Sequence, residues 1–401
     1  MHSFATHRPS QTRSHVRTVA VIADAGSPGL PAIPSLPRLG VRVRTLYDPH
    51  LDAIADDTDV VVLALRDPAA VGVGLTAARR LAPSVGRVIA TFPDNIDQVF
   101  RWSWLADGIV PASASPSQLL ARLALALGGD GAPSLTRDGF DDVTLPGVPH
   151  SVPPMLQAMD DVETTGAEMV VELHRDAELS AHALRLVNSP GLLLPRHLDS
   201  LDEAVGVLGR DAVQAMTLSA ACADSFIDVA DDVVSLVQTE GTVLVRLVRE
   251  IAGAHAGEAQ TAAILKNLGR VVLLGGSAEL SYKVEEETRR RSVPRWLVEE
   301  RHFGWSHAEA AAALLAGWGF PTSVIRTISQ SCTPFPHPGR GLSAAATLYL
   351  ANVLLEEARL GRSLDAHLPH AWLDALRIPA VQLEAWRSFA GVLVTANPEL
   401  G

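Results

Sequence analysis

Histidines, carboxylates and one lysine-arginine cluster are the groups in this chain that could do chemistry. His302 and His307 flank Phe303 to Ser306, with Glu309 two residues beyond, and His174 and His182 form a second pair eight residues apart. Each pair could ligate a metal, although a histidine is more often a core or surface residue; His307 with Glu309 is the best candidate for surviving metal chemistry. Lys266, Asn267 and Arg270 lie together in an apolar run. A charged ammonium only donates, so it repels a divalent ion instead of ligating it, but with Arg270 it could contact phosphate. Asp24, Asp59 and Asp67 stand at the ends of apolar runs, where a carboxylate could hold a divalent cation or act as a nucleophile. Glu285 to Glu287 followed by Arg289 to Arg291 reads as a solvated helix with i,i+4 pairs.

Two kinds of element must position these groups. The first third of the chain alternates strand-like and helix-like segments: TVAVIAD (18–24), VRVRTLYD (41–48), DVVVLALRD (59–67), RVIATF (87–92) and DGIVPAS (107–113), with VGVGLTAARRLAP and NIDQVFRWSWLA between them as short helices. DVVVLALRD is apolar on both faces, as a central parallel strand is. In SPSQLLARLALAL (115–127), Ser115 suits the N-cap and Pro116 the first helical position. The alternation predicts a doubly wound α/β domain. A Gly-, Pro- and Asp-rich stretch (128–150) then reads as a linker. Beyond it the runs AEMVVELHR (167–175), ELSAHALRLVN (178–188), 201–226, TVLVRLVREIAGAHA, AQTAAILKNLGRVVLLG (259–275), 308–320 and 343–361 carry apolar residues at helical spacing, which predicts an all-α domain.

The spacings over 17–129 resemble the receiver domains of two-component response regulators. That resemblance implies an acidic pair after the first strand, a phosphoacceptor Asp ending the third, a hydroxyl after the fourth and a Lys-Pro after the fifth. In this chain the pair reads Ala23-Asp24, the acceptor is Ala64, the hydroxyl is Thr91, and the lysine position is Ala112. Asp59 and Pro68 keep their places around Ala64, but an alanine methyl cannot attack phosphorus. The frame of a phosphorylation switch is therefore expected without its reaction, as a docking or dimerisation surface. A Rossmann site is not expected, since IADAGSPG lacks the G-x-G-x-x-G loop.

The run from Pro153 resembles the HDOD domain, a non-catalytic relative of HD-type metal phosphohydrolases. The features are the leading Pro-Pro, the helix ending LRLVNSP, the loop LPRHLDSLDEAV, the LGRDAV turn and HAEAAAALLAGWGFP (307–321). The resemblance covers about 147–332. It implies that an HD enzyme's His-Asp pair falls at Lys266-Asn267, ahead of Leu268-Gly269, and that a later His pair falls within Ser329 to Cys332. Metal-dependent hydrolysis and a metal or other cofactor are therefore not expected. Leu179, Ala183, Leu186 and Val187 share one helix face, and the helix stops before Pro190. Asn188 reads as a cap there, and Asn188 with Ser189, Lys266, Arg270, His307 and Glu309 are the candidate interaction or ligand residues. Trp318 and most of the other tryptophans read as core.

The bulk numbers agree. A length of 401 residues suits two or three domains, and 47% hydrophobic content is ample for packed cores. A formal charge of −12 argues against nucleic-acid or anionic-membrane partners. Cys222 and Cys332 form neither a zinc spacing nor a disulfide framework, which suits a reducing cytoplasm. No apolar run reaches the ~18 residues a membrane span needs, and the first 16 residues, polar with scattered His and Arg, lack the core of a secretory signal. The expected organisation is a tail (1–16), a receiver-like domain (17–129), a linker (130–150), an HDOD-like domain (151–340) and its helical extension (341–401). The expected role is a non-enzymatic signalling protein that binds a partner protein. The rivals are a sensor that binds a nucleotide or cyclic dinucleotide in the cavity vacated by the metal site, with Lys266 and Arg270 on its phosphate, and a cryptic metal-dependent phosphohydrolase.

Overall fold

The β-branched runs of the first third pair as five parallel strands: β1 (Thr18–Ala23), β2 (Arg42–Leu46), β3 (Val60–Ala64), β4 (Gly86–Thr91) and β5 (Gly108–Pro111). The computed structural model describes residues 16–24, 30–47, 57–81, 85–92, 102, 105–126, 147–153, 155–156, 177–223, 226, 229, 231–253, 257–274, 278–303, 305–332 and 342–400. The strand order is β2-β1-β3-β4-β5, the doubly wound order that receiver and flavodoxin-like domains share. β1 and β3 are buried on both faces, whereas β2 is a part-exposed edge. Arg42 and Arg44 on that edge pair with Asp57, and charge on an edge discourages pairing with another chain.

Side-chain alternation divides this core. Val19, Val21, Val60, Val62, Ala64, Val88 and Ala90 face one way, with Leu36, Leu119 and Leu123. The alternate residues Ile22, Leu63 and Ile89 are buried too, and α1 (Pro68–Leu81) lies against β3 and β4. Helix α1 begins three residues earlier than the apolar pattern indicates because Pro68 tolerates the first helical position and the Asp67 carboxylate accepts the Ala69 N–H at 3.0 Å. Helix α2 (Pro116–Ala126) starts as read, with the Ser115 carbonyl accepting from Leu119 N–H at 2.9 Å. Asp59 is buried where β3 opens, and one carboxylate oxygen accepts the Arg17 and Thr18 backbone N–H groups at 2.8 and 2.9 Å.

The remainder is helical, with no strand among the described residues: α3 (Ala177–Val187), α4 (Leu201–Leu208), α5 (Arg210–Ala223), α6 (Asp231–Ala252), α7 (Gly257–Leu265), α8 (Leu268–Leu274), α9 (Ala278–Arg291), α10 (Arg295–Phe303), α11 (His307–Gly317), α12 (Thr322–Ser329), α13 (Ala344–Leu360), α14 (His370–Ala375) and α15 (Ala380–Ala396). The run 201–226 divides at Gly209, whose φ of 87° suits glycine. The run 259–275 breaks at Lys266-Asn267, between α7 and α8. AEMVVELHR with His174, most of NIDQVFRWSWLA, and the stretch 128–146 lie outside the described residues.

The chain folds as two compact units, Met1–Asn95 with Leu105–Ser134, and Ile96–Trp104 with Leu135–Gly401. Within the second, α13 packs on α6, α7, α12 and α15. Trp296, Trp305, Trp318, Trp372 and Trp386 are all buried. Among the described residues no helix is long and apolar enough to cross a membrane.

Candidate functional site

The C-terminal edge of the sheet gathers the residues at the receiver positions. Ala23 and Ala64 are register partners at the ends of β1 and β3, and both are buried. Asp24 accepts the Arg66 backbone N–H at 2.9 Å. The Thr91 hydroxyl donates to the Val110 carbonyl at 3.4 Å, and Ala112 N–H donates to the Thr91 carbonyl at 2.8 Å. The Arg66 guanidinium lies 4.7 Å from the Phe92 ring centroid. The end of β3 thus holds a buried methyl at Ala64, and the Asp24 carboxylate beside it is turned to backbone.

The helical unit builds a denser constellation. Lys266 stands at the break between α7 and α8, and α8 lies directly on α11 because Gly269 has no side chain. A Cβ there would fall 1.8 Å from the His307 carbonyl oxygen. That approach brings Lys266 Nζ to 2.8 Å from His307 Nε2, while Nζ also donates to Asn267 Oδ1 at 2.8 Å. On its other side His307 meets Glu299, whose Oε2 accepts the His307 backbone N–H at 2.8 Å and lies 2.5 Å from Nδ1. These partners assign the tautomer: Nδ1 carries the proton for the carboxylate, and Nε2 accepts from lysine. Lys266, Asn267, Glu299 and His307 are each at most 2% exposed.

Around this core runs a ladder of buried and half-buried ion pairs. Glu240 binds Arg270 at 2.7 Å and Arg295 at 3.1 Å. Glu285 binds Arg295 at 3.0 Å and Arg359 at 3.1 Å, and Arg359 reaches Glu356 at 3.3 Å. The acidic-basic run on α9 does form i,i+4 pairs, Glu285 with Arg289 and Glu287 with Arg291, but Glu285 also turns into this ladder. Despite their burial, the arginines hold the carboxyls of Glu240 and Glu285 below the ordinary carboxylate range, that of Glu285 at about 2. Burial pushes Lys266 down, opposed by Glu240 and, more weakly, Glu299. A pocket of about 250 Å³ opens beside the ladder, lined by Arg270, Arg289, Arg295, Arg359, Glu240 and Glu285 among others; Lys266 is not in its wall.

The remaining candidates have other surroundings. Glu309 closes a capping box with Ser306 at the start of α11, so the carboxylate that meets the His307 ring is Glu299. The Asn188 amide donates to the Leu184 and Leu198 carbonyls and accepts the Leu198 N–H at 2.8 Å, tying the end of α3 across its loop. Ser189 donates to the Thr242 hydroxyl at 2.9 Å. His182 meets Gln238, and His302 meets Glu287. Ser329, Ser331 and Cys332 are buried, and burial pushes the Cys332 thiol up. Sequence reasoning missed Glu299, Glu240, Arg295 and Arg359, whose one signal is charge set among buried apolar neighbours, as in Trp296-Leu297-Val298-Glu299.

The divalent ion of an HD hydrolase does not fit these residues. An ammonium fills the space before His307 Nε2, and among the described residues no group of three or more His, Cys, Asp and Glu could hold a metal.

Burial, reinforced by Lys266 and opposed by Glu299, holds the His307 imidazole down at about 4, and burial holds His367 at about 3. The unfolded chain takes up these protons near pH 6.5. Stability is therefore full above pH 6.5 and falls as the pH drops toward 4, by roughly 3 kcal/mol for His307 alone. A urea midpoint followed from pH 7.5 to 4.5 should decline steadily below 6.5; a flat profile between 7 and 5 would contradict neutral, buried imidazoles.

A receiver-like parallel sheet followed by an HD-related helical unit is the class of protein that this fold and site define. The HDOD domain family model matches residues 145–334, and the chain carries an HDOD domain there. An uncharacterized protein of Treponema pallidum (strain Nichols) is 25% identical over 251 residues, 61% of this chain and 48% of that protein. This chain thus spans about half the length of the curated relative it matches. An HDOD domain protein of unknown function from Geobacter sulfurreducens is 21% identical, with 67% of this chain and 97% of that one covered and a TM-score of 0.50. A provisionally named phosphohydrolase from Shewanella amazonensis SB2B is 20% identical, covering 64% and 93%, with a TM-score of 0.44. A provisionally named signal transduction protein from Marinobacter aquaeolei VT8 is 19% identical, covering 66% and 59%, with a TM-score of 0.46. Of these three structures the Geobacter protein alone reaches 0.5, and at 21% identity it shows the fold alone.

Proposed function

We propose that this is a non-enzymatic bacterial signal-transduction protein of the cytoplasm, in which the HDOD domain binds a partner protein and the receiver-like domain docks or dimerises without phosphorylation. The observation that carries the reading is the Lys266 ammonium hydrogen-bonded to His307, Lys266 standing where the resemblance puts the His-Asp pair of an HD hydrolase. Ala64 at the end of β3 supports the second half, since a methyl offers no nucleophile. The reading is tested with the full chain. Incubation with acetyl phosphate should leave the intact mass unchanged, bis(p-nitrophenyl) phosphate should not turn over with Mn²⁺, Fe²⁺ or Zn²⁺, and capture from native extract should retain a defined signalling protein. Metal-dependent turnover would replace this reading with the phosphohydrolase.

One observation favours a second reading, a nucleotide sensor. The pocket beside the ladder carries four arginines in its wall, Arg270 among them, and guanidinium groups suit phosphate. Glu240 and Glu285 oppose an anion there. A rise in melting temperature with a nucleotide panel would favour this reading, and no shift across the panel would remove it.

A further inference from the structure

We propose that Lys266 is a tethered cation that holds its helices together as a bound metal ion would, through His307 and Asn267. The proposal rests on the non-hydrolytic reading above and goes beyond it by assigning the lysine a positive role. The geometry is that of a small coordination site turned inward. Nζ lies 2.8 Å from both His307 Nε2 and Asn267 Oδ1, a nitrogen acceptor on α11 and an oxygen acceptor on the adjacent residue. The imidazole is oriented from behind by Glu299, as a metal-bound histidine is oriented by a carboxylate. Asn267 offers a neutral oxygen where an HD enzyme would offer a carboxylate. A +1 ammonium thus faces a neutral first layer, with the balancing charges of Glu299 and Glu240 further out. A buried lysine without partners would carry a heavy desolvation penalty; this one is 2% exposed and both its acceptors come from within the fold. The position also joins three elements. Lys266 directly follows α7, Asn267 leads into α8, and His307 opens α11, where Gly269 permits contact between backbones.

Two variants of the full chain test the assignment. K266M keeps an unbranched apolar side chain, one heavy atom shorter, and removes the charge and the donors. It should lower the melting temperature by about 5 °C or more, because His307 Nε2 and Asn267 Oδ1 are left buried and unsatisfied. K266A removes the side chain beyond Cβ, and the missing piece has the shape of propylammonium. Propylammonium chloride should raise the K266A melting temperature above that seen in sodium chloride of equal concentration, and 1-propanol should not. A K266M that melts at or above the wild type overturns the proposal, since a buried ion replaced by a hydrophobe is often neutral or stabilising when it has no such role. So does a folded K266A that propylammonium fails to rescue, or that 1-propanol rescues equally. If K266A does not fold, K266M decides alone. Turnover by the wild type would defeat the functional reading whatever these variants do, whereas an inert wild type with a stable K266M defeats only the tethered cation.

Discussion

Gly269→Ala should prevent the helical unit from reaching its native packing. The added methyl would meet the His307 carbonyl oxygen at 1.8 Å, the Ala311 nitrogen at 2.5 Å and the His307 carbonyl carbon at 2.8 Å. All three are backbone atoms of α11, so no side chain can swing away. Ordinary contact between carbon and oxygen needs roughly 3.3 Å or more, which means α8 and α11 must separate by more than an ångström. That movement carries Lys266 away from His307, a contact now at 2.8 Å. Overpacking costs about 1–3 kcal/mol and occasionally more, and buried polar groups left without partners add about 1–3 kcal/mol each. A melting temperature lowered by roughly 10 °C, or failure to accumulate as soluble protein, is the expected result. A variant melting within about 2 °C of the wild type would show that the two helices are not in backbone contact in solution.

Trp372→Ala should have an effect of similar size and a wider reach. Trp372 is fully buried in α14, with its ring 5.5 Å from Tyr349 of α13 in an edge-on arrangement, and Tyr349 in turn lies 6.0 Å from Trp296 of α10. The Tyr349 hydroxyl donates to the His367 carbonyl at 2.7 Å, fixing the same corner. Deleting a buried tryptophan side chain costs about 3–5 kcal/mol. Because the stack runs from the last sixty or so residues into the matched HDOD segment, one cooperative transition should move down in temperature. Circular dichroism with limited proteolysis would check this. A trimmed fragment ending before Ser343 that melts like the whole protein would mean that the C-terminal helices are an appendage and not part of the core.

Much of the fold is legible in the sequence because its signals are local. The β-branched runs at 18–24, 59–67 and 87–92 cannot cover their apolar faces except inside a sheet, and their alternation with helical segments points to parallel pairing. Pro68 and Pro116 mark helix starts through a fixed φ and a missing N–H, and Pro190 ends a helix for the complementary steric reason. The alanine at position 64 is enough to remove a nucleophile from the strand end, since no fold can supply an absent oxygen.

The site is legible only in part. Lys266, Asn267, Arg270 and His307 stand out as residue types, but the chain places Lys266 and His307 41 residues apart, and no periodicity says that they meet. The helix crossing decides it, and that crossing depends on one missing methyl at Gly269. Glu309 looks like the natural partner of His307 because it is two residues away. The helix start claims it for capping instead, and Glu299 reaches the ring from α10. The same holds for Glu240, Arg295 and Arg359, which in sequence resemble any surface charge. By itself, then, the sequence determined the element types, the alternating α/β class of the first domain and the lack of a nucleophile at position 64, all of which follow from local backbone preference and side-chain chemistry. Only the tertiary structure decided which charges are buried together, because burial and pairing are properties of helix packing between residues far apart in the chain.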